Sequence, residues 1–171
     1  MAKAEGYSIW IIPTGEAYSR LCMSIENISN ACDTPTFEPH LTLAYGIKGG
    51  EKEVSEKAKK LASDLQQFRL KLDGTGRSNE KFRALYLNLE ENELITEAMD
   101  AAEKLFGKEC RPNYEPQIGL MYGDVSDKKK SEMLEKFVRH KNIAFIAERL
   151  YLWEINNGPE TWKEIADYEL G

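Results

Sequence analysis

Two ten-residue segments of the chain carry residue types that can move protons and hold an anion. The first, Phe37 to Gly46, reads FEPHLTLAYG, and the second, Tyr114 to Gly123, reads YEPQIGLMYG. Both run aromatic, Glu-Pro, a variable residue, an aliphatic, a second variable residue, Leu, any residue, Tyr-Gly. The variable pair is His40 and Thr42 in the first copy, and Gln117 and Gly119 in the second. An imidazole titrates near neutrality and can give or take a proton, while a hydroxyl can donate to an oxygen that gains charge in a transition state. Residues two apart in a strand share a face, so His40 and Thr42 project together with Leu41 and Leu43 behind them. Polar in front and apolar behind is the pattern of a strand that lines a cleft over a core. A lone His-x-Thr is a weak signal, since a strand histidine beside a threonine is common. Repetition of the whole scaffold makes it a strong one. In the second copy the amide of Gln117 still donates hydrogen bonds but exchanges no proton near pH 7, and Gly119 has no side chain to offer.

Periodicity supplies the elements that must position these segments. YSIWIIP, Tyr7 to Pro13, is a short β-rich run closed by proline. Thr14 then caps a helix to about Asn30, with Tyr18, Leu21, Cys22, Ile25 and Ile28 on its apolar face. HLTLAY is the next strand. Val54, Ala58, Leu61, Ala62 and Leu65 are spaced for a second amphipathic helix, and FRLKLDG alternates as a third strand. A loop from Gly74 to Lys81 leads to the second half: strand RALYLNL, helix Asn92 to Phe106, strand QIGLMY, and a helix Asp127 to Arg139 capped by Ser126. Strands IAFIAERLYLWEI and TWKEIADYEL close the chain around the turn NNGPE. The pattern predicts an α+β duplication in one domain, with lobes of roughly 1–75 plus the C-terminal strands and 82–171, related by a pseudo-twofold axis. Each lobe is a small sheet with helices outside, and the motif strands face each other across a cleft.

The 171 residues suit one compact domain, and 42% apolar with 30% charged residues fits a globular chain. Neither a signal sequence nor a transmembrane run is visible, so a cytoplasmic protein without membrane contact is expected, and a monomer. Cys22, Cys32 and Cys110 form no CxxC pair, which gives no zinc pattern and no complete disulfide framework. A net charge of −6 with no basic run argues against binding long nucleic acid, so an anionic ligand must meet local positive charge. Arg77, Lys81 and Arg83 cluster where the halves join and are candidates for it, although a solvated loop is the commoner role for such a run.

Taken together, the two segments resemble the signatures of the two-histidine (2H) phosphoesterases. Within these the chain is most similar to cyclic phosphodiesterases, a similarity that extends to YSIWIIP and ETWKEIADYEL. The resemblance implies two antiparallel sheets facing a central cleft, metal-independent chemistry without a cofactor, and a small ligand. That ligand is a nucleoside 2′,3′-cyclic phosphate or ADP-ribose 1″,2″-cyclic phosphate. In the family each lobe offers a histidine and a threonine or serine, so that one imidazole serves as base and the other as acid on opposite sides of phosphorus. His40 and Thr42 match the first pair as catalytic residues. Gln117 and Gly119 stand where the second pair belongs and are expected to meet the ligand, Gln117 as a hydrogen-bond donor and Gly119 by leaving room for it. Loss of one acid or base costs on the order of a hundred- to ten-thousand-fold. Trp10 matches a tryptophan that contacts ligand in cyclic phosphodiesterases, and Tyr122 a tyrosine after their second motif. Each is suited either to stacking on a base or to core packing.

Two functions follow as expectations. The first is a cyclic phosphodiesterase-like protein with weakened hydrolysis. The second is a pseudoenzyme that sequesters a cyclic nucleotide or other phosphorylated ligand in the same cleft. His140, at the expected end of a helix beside Arg139 and Lys141, is expected to complement the helix C-terminus and not to replace the missing imidazole.

Overall fold

The structure is a computed structural model that describes residues 5–138 and 143–171. Its strands are β1 (Tyr7–Ile11), β2 (Leu41–Ile47), β3 (Phe68–Arg77), β4 (Leu85–Leu89), β5 (Gln117–Met121), β6 (Ala144–Ala147), β7 (Arg149–Glu154) and β8 (Lys163–Glu169). The helices are α1 (Gly15–Cys32), α2 (Glu51–Asp64), α3 (Glu93–Phe106) and α4 (Asp127–Phe137). His140, Arg139 and Lys141 lie outside the described residues.

The strands order as β6-β3-β4-β5-β2-β1-β7-β8 in one curled antiparallel sheet. It falls into two four-stranded halves joined at a single pairing between the motif strands, Leu41 opposite Ile118. The two expected sheets are therefore continuous with each other. Within each half the same strands recur: β2 beside β1, and β5 beside β4. The flanking strand is exchanged. β3 follows α2 of the first half in sequence yet pairs with β4 and β6 of the second, while β7 follows the second half and pairs with β1 of the first.

The helices cover one face. α1 packs on β5 and α3 on β2, each lying over the other half's motif strand. Their apolar stripes, Leu21, Ile25 and Ile28 on α1 and Ile95, Ala98, Met99 and Ala102 on α3, meet Leu41, Leu43, Ile118 and Leu120 in one core. That burial is the main driving force for holding the two motif strands side by side. The opposite face carries a separate aromatic cluster around Trp10, Ile12 and Ile155, with Tyr151, Trp153 and Trp162 against it.

Capping agrees in part with expectation. Of the two expected caps, Ser126 accepts from the backbone N–H of Lys129, whereas Thr14 holds the N-cap position of α1 without a side-chain bond. Asn92, expected inside its helix, is instead its cap and accepts from the Leu94 N–H. The segment Gly74 to Lys81, read as a loop, is strand as far as Arg77. A register shift between Leu72 and Thr75 absorbs the irregularity, and Gly74 takes φ +81°, a conformation open to glycine.

Candidate active site

β2 delivers its residues as alternation requires. Leu41 and Leu43 are buried in the core, and Thr42 faces the opposite side together with His40, which immediately precedes the strand. Both border a cleft of about 420 Å³, whose walls also include Tyr45, Arg83, Tyr114, Tyr122 and Trp162. His40 is 6% exposed. Its Nδ1 lies 2.6 Å from the carbonyl of Glu38. A carbonyl can only accept, so Nδ1 carries the proton and Nε2 the lone pair. The Glu38 side chain is held in turn by Tyr18 of α1, whose hydroxyl donates to Oε1 at 2.5 Å.

Burial holds the imidazole neutral, lowering its pKa to about 4 against a partial rise from the Glu38 carbonyl. The face of the ring is covered by Trp10, with centroids 3.6 Å apart. Trp10 Nε1 donates to Ser8 Oγ at 2.7 Å, and that hydroxyl donates to the Ala44 carbonyl at 2.9 Å. A chain of contacts through β1 thus fixes the ring that fixes His40. Trp10 borders the cleft but is only 1% exposed and also stacks on Trp153, so it backs the histidine and presents no open face to a base.

The second motif occupies the other half differently. Gln117 is buried and does not line the cleft; its Oε1 instead accepts from Nε and Nη2 of Arg83, each at 3.4 Å. Arg83 does line the cleft, its guanidinium carbon 4.5 Å from the ring centre of Tyr114 and 5.2 Å from that of Tyr86. Gly119 lies under Tyr122, and a Cβ there would come within 3.2 Å of the tyrosine Cε1. The phenol therefore fills the space beside Gly119. Tyr122 Oη stands 3.5 Å from His40 Nε2, and burial raises its pKa above the tyrosine range, which keeps it a donor.

The aromatic residues that open the two segments cross between halves. Phe37 of the first stacks on Tyr122 of the second at 3.8 Å, and Tyr114 of the second hydrogen-bonds Thr42 of the first. Burial pushes the Tyr114 hydroxyl up to about 12. Their matching positions in the repeat were the signal that both mattered. Trp162, which immediately precedes β8 and lies in the ETWKEIADYEL segment, and Phe82, which stands in neither motif, also border the cleft. Arg77 is drawn away to the Asp127 carbonyl and Ser131. Lys81 lies over Phe82 and lines a neighbouring cavity. Of the three cations at the junction only Arg83 faces His40's cleft. Among the described residues no cluster of three His, Cys, Asp or Glu side chains is arranged to hold a metal ion, and no helix is long and apolar enough to cross a membrane.

Two duplicated motif strands abutting beneath one cleft are the arrangement expected of a two-histidine phosphoesterase. The family described as the 2′-5′ RNA ligase superfamily matches the chain over residues 19–159. The chain belongs to this superfamily. A relative described as a cyclic phosphodiesterase, from Arabidopsis thaliana, is 22% identical over 171 residues, covering 96% of this chain and 94% of its own. Among solved structures, a protein of Thermus thermophilus superposes with a TM-score of 0.66 at 17% identity, covering 96% of this chain and 97% of that one. Escherichia coli LigT in its apo form gives 0.65 at 12% identity, with 99% of each chain covered. These likenesses show that the 2H phosphoesterase fold extends over essentially the whole length described above.

Proposed function

We propose that the cleft binds a small cyclic phosphate, a nucleoside 2′,3′-cyclic phosphate or ADP-ribose 1″,2″-cyclic phosphate, and hydrolyses it slowly by a one-histidine route. The observation that carries this reading is the state of His40: neutral, oriented by Glu38 and Trp10, with the Nε2 lone pair on the side of Tyr122. Such a group is unprotonated at pH 7 and takes the proton of an attacking water as a weak base. The alkoxide released when the P–O bond breaks is protonated by solvent, which is why the route is slow. Thr42 and Tyr122 are hydroxyl donors for the non-bridging oxygens as they gain charge. Tyr45, 37% exposed, and the half-buried Phe82 and Trp162 supply aromatic surface for a base or ribose. The description of the Arabidopsis relative and the crystallisation of LigT with 3′-AMP and with phosphate support ligands of this class.

A second reading, capture without cleavage, is favoured by the second half of the site. Gln117 is withdrawn from the cleft, and Tyr122 holds its proton too firmly to serve readily as the acid for a departing alkoxide. The experiment is one set of mixtures measured twice. Purified protein and a His40→Ala variant are titrated calorimetrically with the cyclic phosphates, and the same mixtures are followed for opened product by chromatography. Turnover abolished in His40→Ala supports the hydrolase and excludes capture. Tight binding with ligand recovered intact supports capture and excludes hydrolysis, and absence of binding sinks both.

A further inference from the structure

Beside Gln117, which does not reach the cleft, the cation that lines it is Arg83. We propose that Arg83, held by Gln117, is the anchor for the ligand's phosphate, and that Glu80 competes with the phosphate for this anchor. The proposal rests on the phosphate-binding function just given.

Arg83 is only 19% exposed in its side chain, and each edge of its guanidinium has a partner. The Nε and Nη2 edge faces the Gln117 amide oxygen, both contacts being 3.4 Å. Tyr86 and Tyr114 lie against its plane. The Tyr114 ring also bonds Thr42, which ties the cation to the hydroxyl of the intact motif. The remaining edge, at Nη1, meets Glu80 Oε2 at 3.4 Å, and that carboxylate is 65% exposed. A long, exposed contact of this kind is weak and easily displaced. A phosphate oxygen arriving from the cleft has the same charge and the same acceptor chemistry, and it fits the planar fork of an arginine better than a single carboxylate oxygen at 3.4 Å does.

The identity of residue 117 matters for the same reason. An amide positions the guanidinium without cancelling its charge, whereas a carboxylate at this place neutralises it and an imidazole competes with it. Gln117 is thus a positioning residue, and Arg83 the group that touches the ligand.

The test is calorimetric titration with three probes, adenosine 2′,3′-cyclic phosphate, adenosine 3′-monophosphate and uncharged adenosine. The proteins are the unaltered chain and the Arg83→Met, Glu80→Gln and Gln117→Glu variants, each with its melting temperature. Arg83→Met is expected to lose on the order of tenfold to a hundredfold in affinity for both phosphates and nothing for adenosine. Glu80→Gln is expected to gain up to about fivefold for the phosphates. Gln117→Glu keeps the bond to Arg83, so it melts no lower, yet it loses phosphate affinity as Arg83→Met does; a merely structural Gln117 predicts no such loss. Phosphate binding unchanged in Arg83→Met overturns the inference while leaving the proposed function intact. Failure of the unaltered chain to bind either phosphate overturns the proposed function, and this inference with it.

Discussion

The imidazole of His40 lies flat against the indole of Trp10, ring centres 3.6 Å apart and planes 14° from parallel. Trp10 pairs across β1 and β2 with Thr42, so one tryptophan sets the backbone beside the hydroxyl and the plane of the base together. Burial keeps this ring neutral, and the Glu38 carbonyl selects the tautomer with its proton on Nδ1.

The first prediction concerns pH. An unfolded chain takes up a proton at His40 near 6.5 and the folded chain only at about 4. Between these values the unfolded state binds more protons, so stability rises with pH across that window. Acidification from pH 6.5 to about 4 is expected to remove roughly 3 kcal/mol through this group, after which its contribution levels off. Denaturant unfolding against pH measures it, and NMR titration of the His40 ring locates the midpoint. A ring that titrates near 6.5 in the folded protein contradicts the assignment.

Trp10→Ala is expected to cost about 3–5 kcal/mol as a buried aromatic is removed. Opening that space to water also lifts the His40 pKa toward its ordinary value. Trp10→Phe keeps the stack but leaves Ser8 without its donor, at a cost of about 1 kcal/mol. Thermal melts of both variants, with the His40 titration repeated in each, separate lost packing from lost solvation control.

Gly119 has become a packing position for Tyr122. Gly119→Thr, which gives the second segment the threonine that the first has at Thr42, is expected to destabilise by about 1–3 kcal/mol because the tyrosine ring must move away from the new Cβ. A Tyr122→Ala background removes the conflict, so the same substitution there costs measurably less. Equal costs in the two backgrounds count against the contact.

Gln117→His alone is expected to raise turnover of a cyclic phosphate by less than about tenfold, well short of a full acid's contribution. The new imidazole meets Arg83, whose charge disfavours its protonated form. Combining it with Arg83→Gln removes that neighbour together with the phosphate anchor, so the larger gain is expected in kcat at saturating ligand, with KM raised, both read from product released per unit time.

Much of this was legible in the chain itself. The alternation in HLTLAY and QIGLMY placed both motif strands, and the shared scaffold announced two related halves. Local pattern does not say which strand will be a neighbour, so the pairing of β3 with β4 was not legible: FRLKLDG alternates identically whichever half receives it. Gly74 and Gly76 made a strand look like a loop, because a glycine accommodating a register shift and a glycine in a turn are alike in composition. At the site, His40 and Thr42 followed from period two. The withdrawal of Gln117 did not, since it depends on Arg83, 34 residues away in sequence. The place of Trp162 in the cleft was not legible for the same reason, since the turn before β8 carries it there.

The exchange of β3 and β7 also bears on how the chain acquires its shape. The first half cannot close its sheet on β1 until residues 149–154 have been synthesised, although its own motif strand is finished by residue 47. On the ribosome, His40 and Trp10 must therefore wait, with one edge of β1 unpaired, while more than half of the protein is still being made. Pairings this distant in sequence slow folding and leave an open edge to be guarded in the meantime. The exchange also means that each half of the sheet borrows a strand from the other stretch of sequence, so a fragment ending before residue 149 lacks the second neighbour of β1.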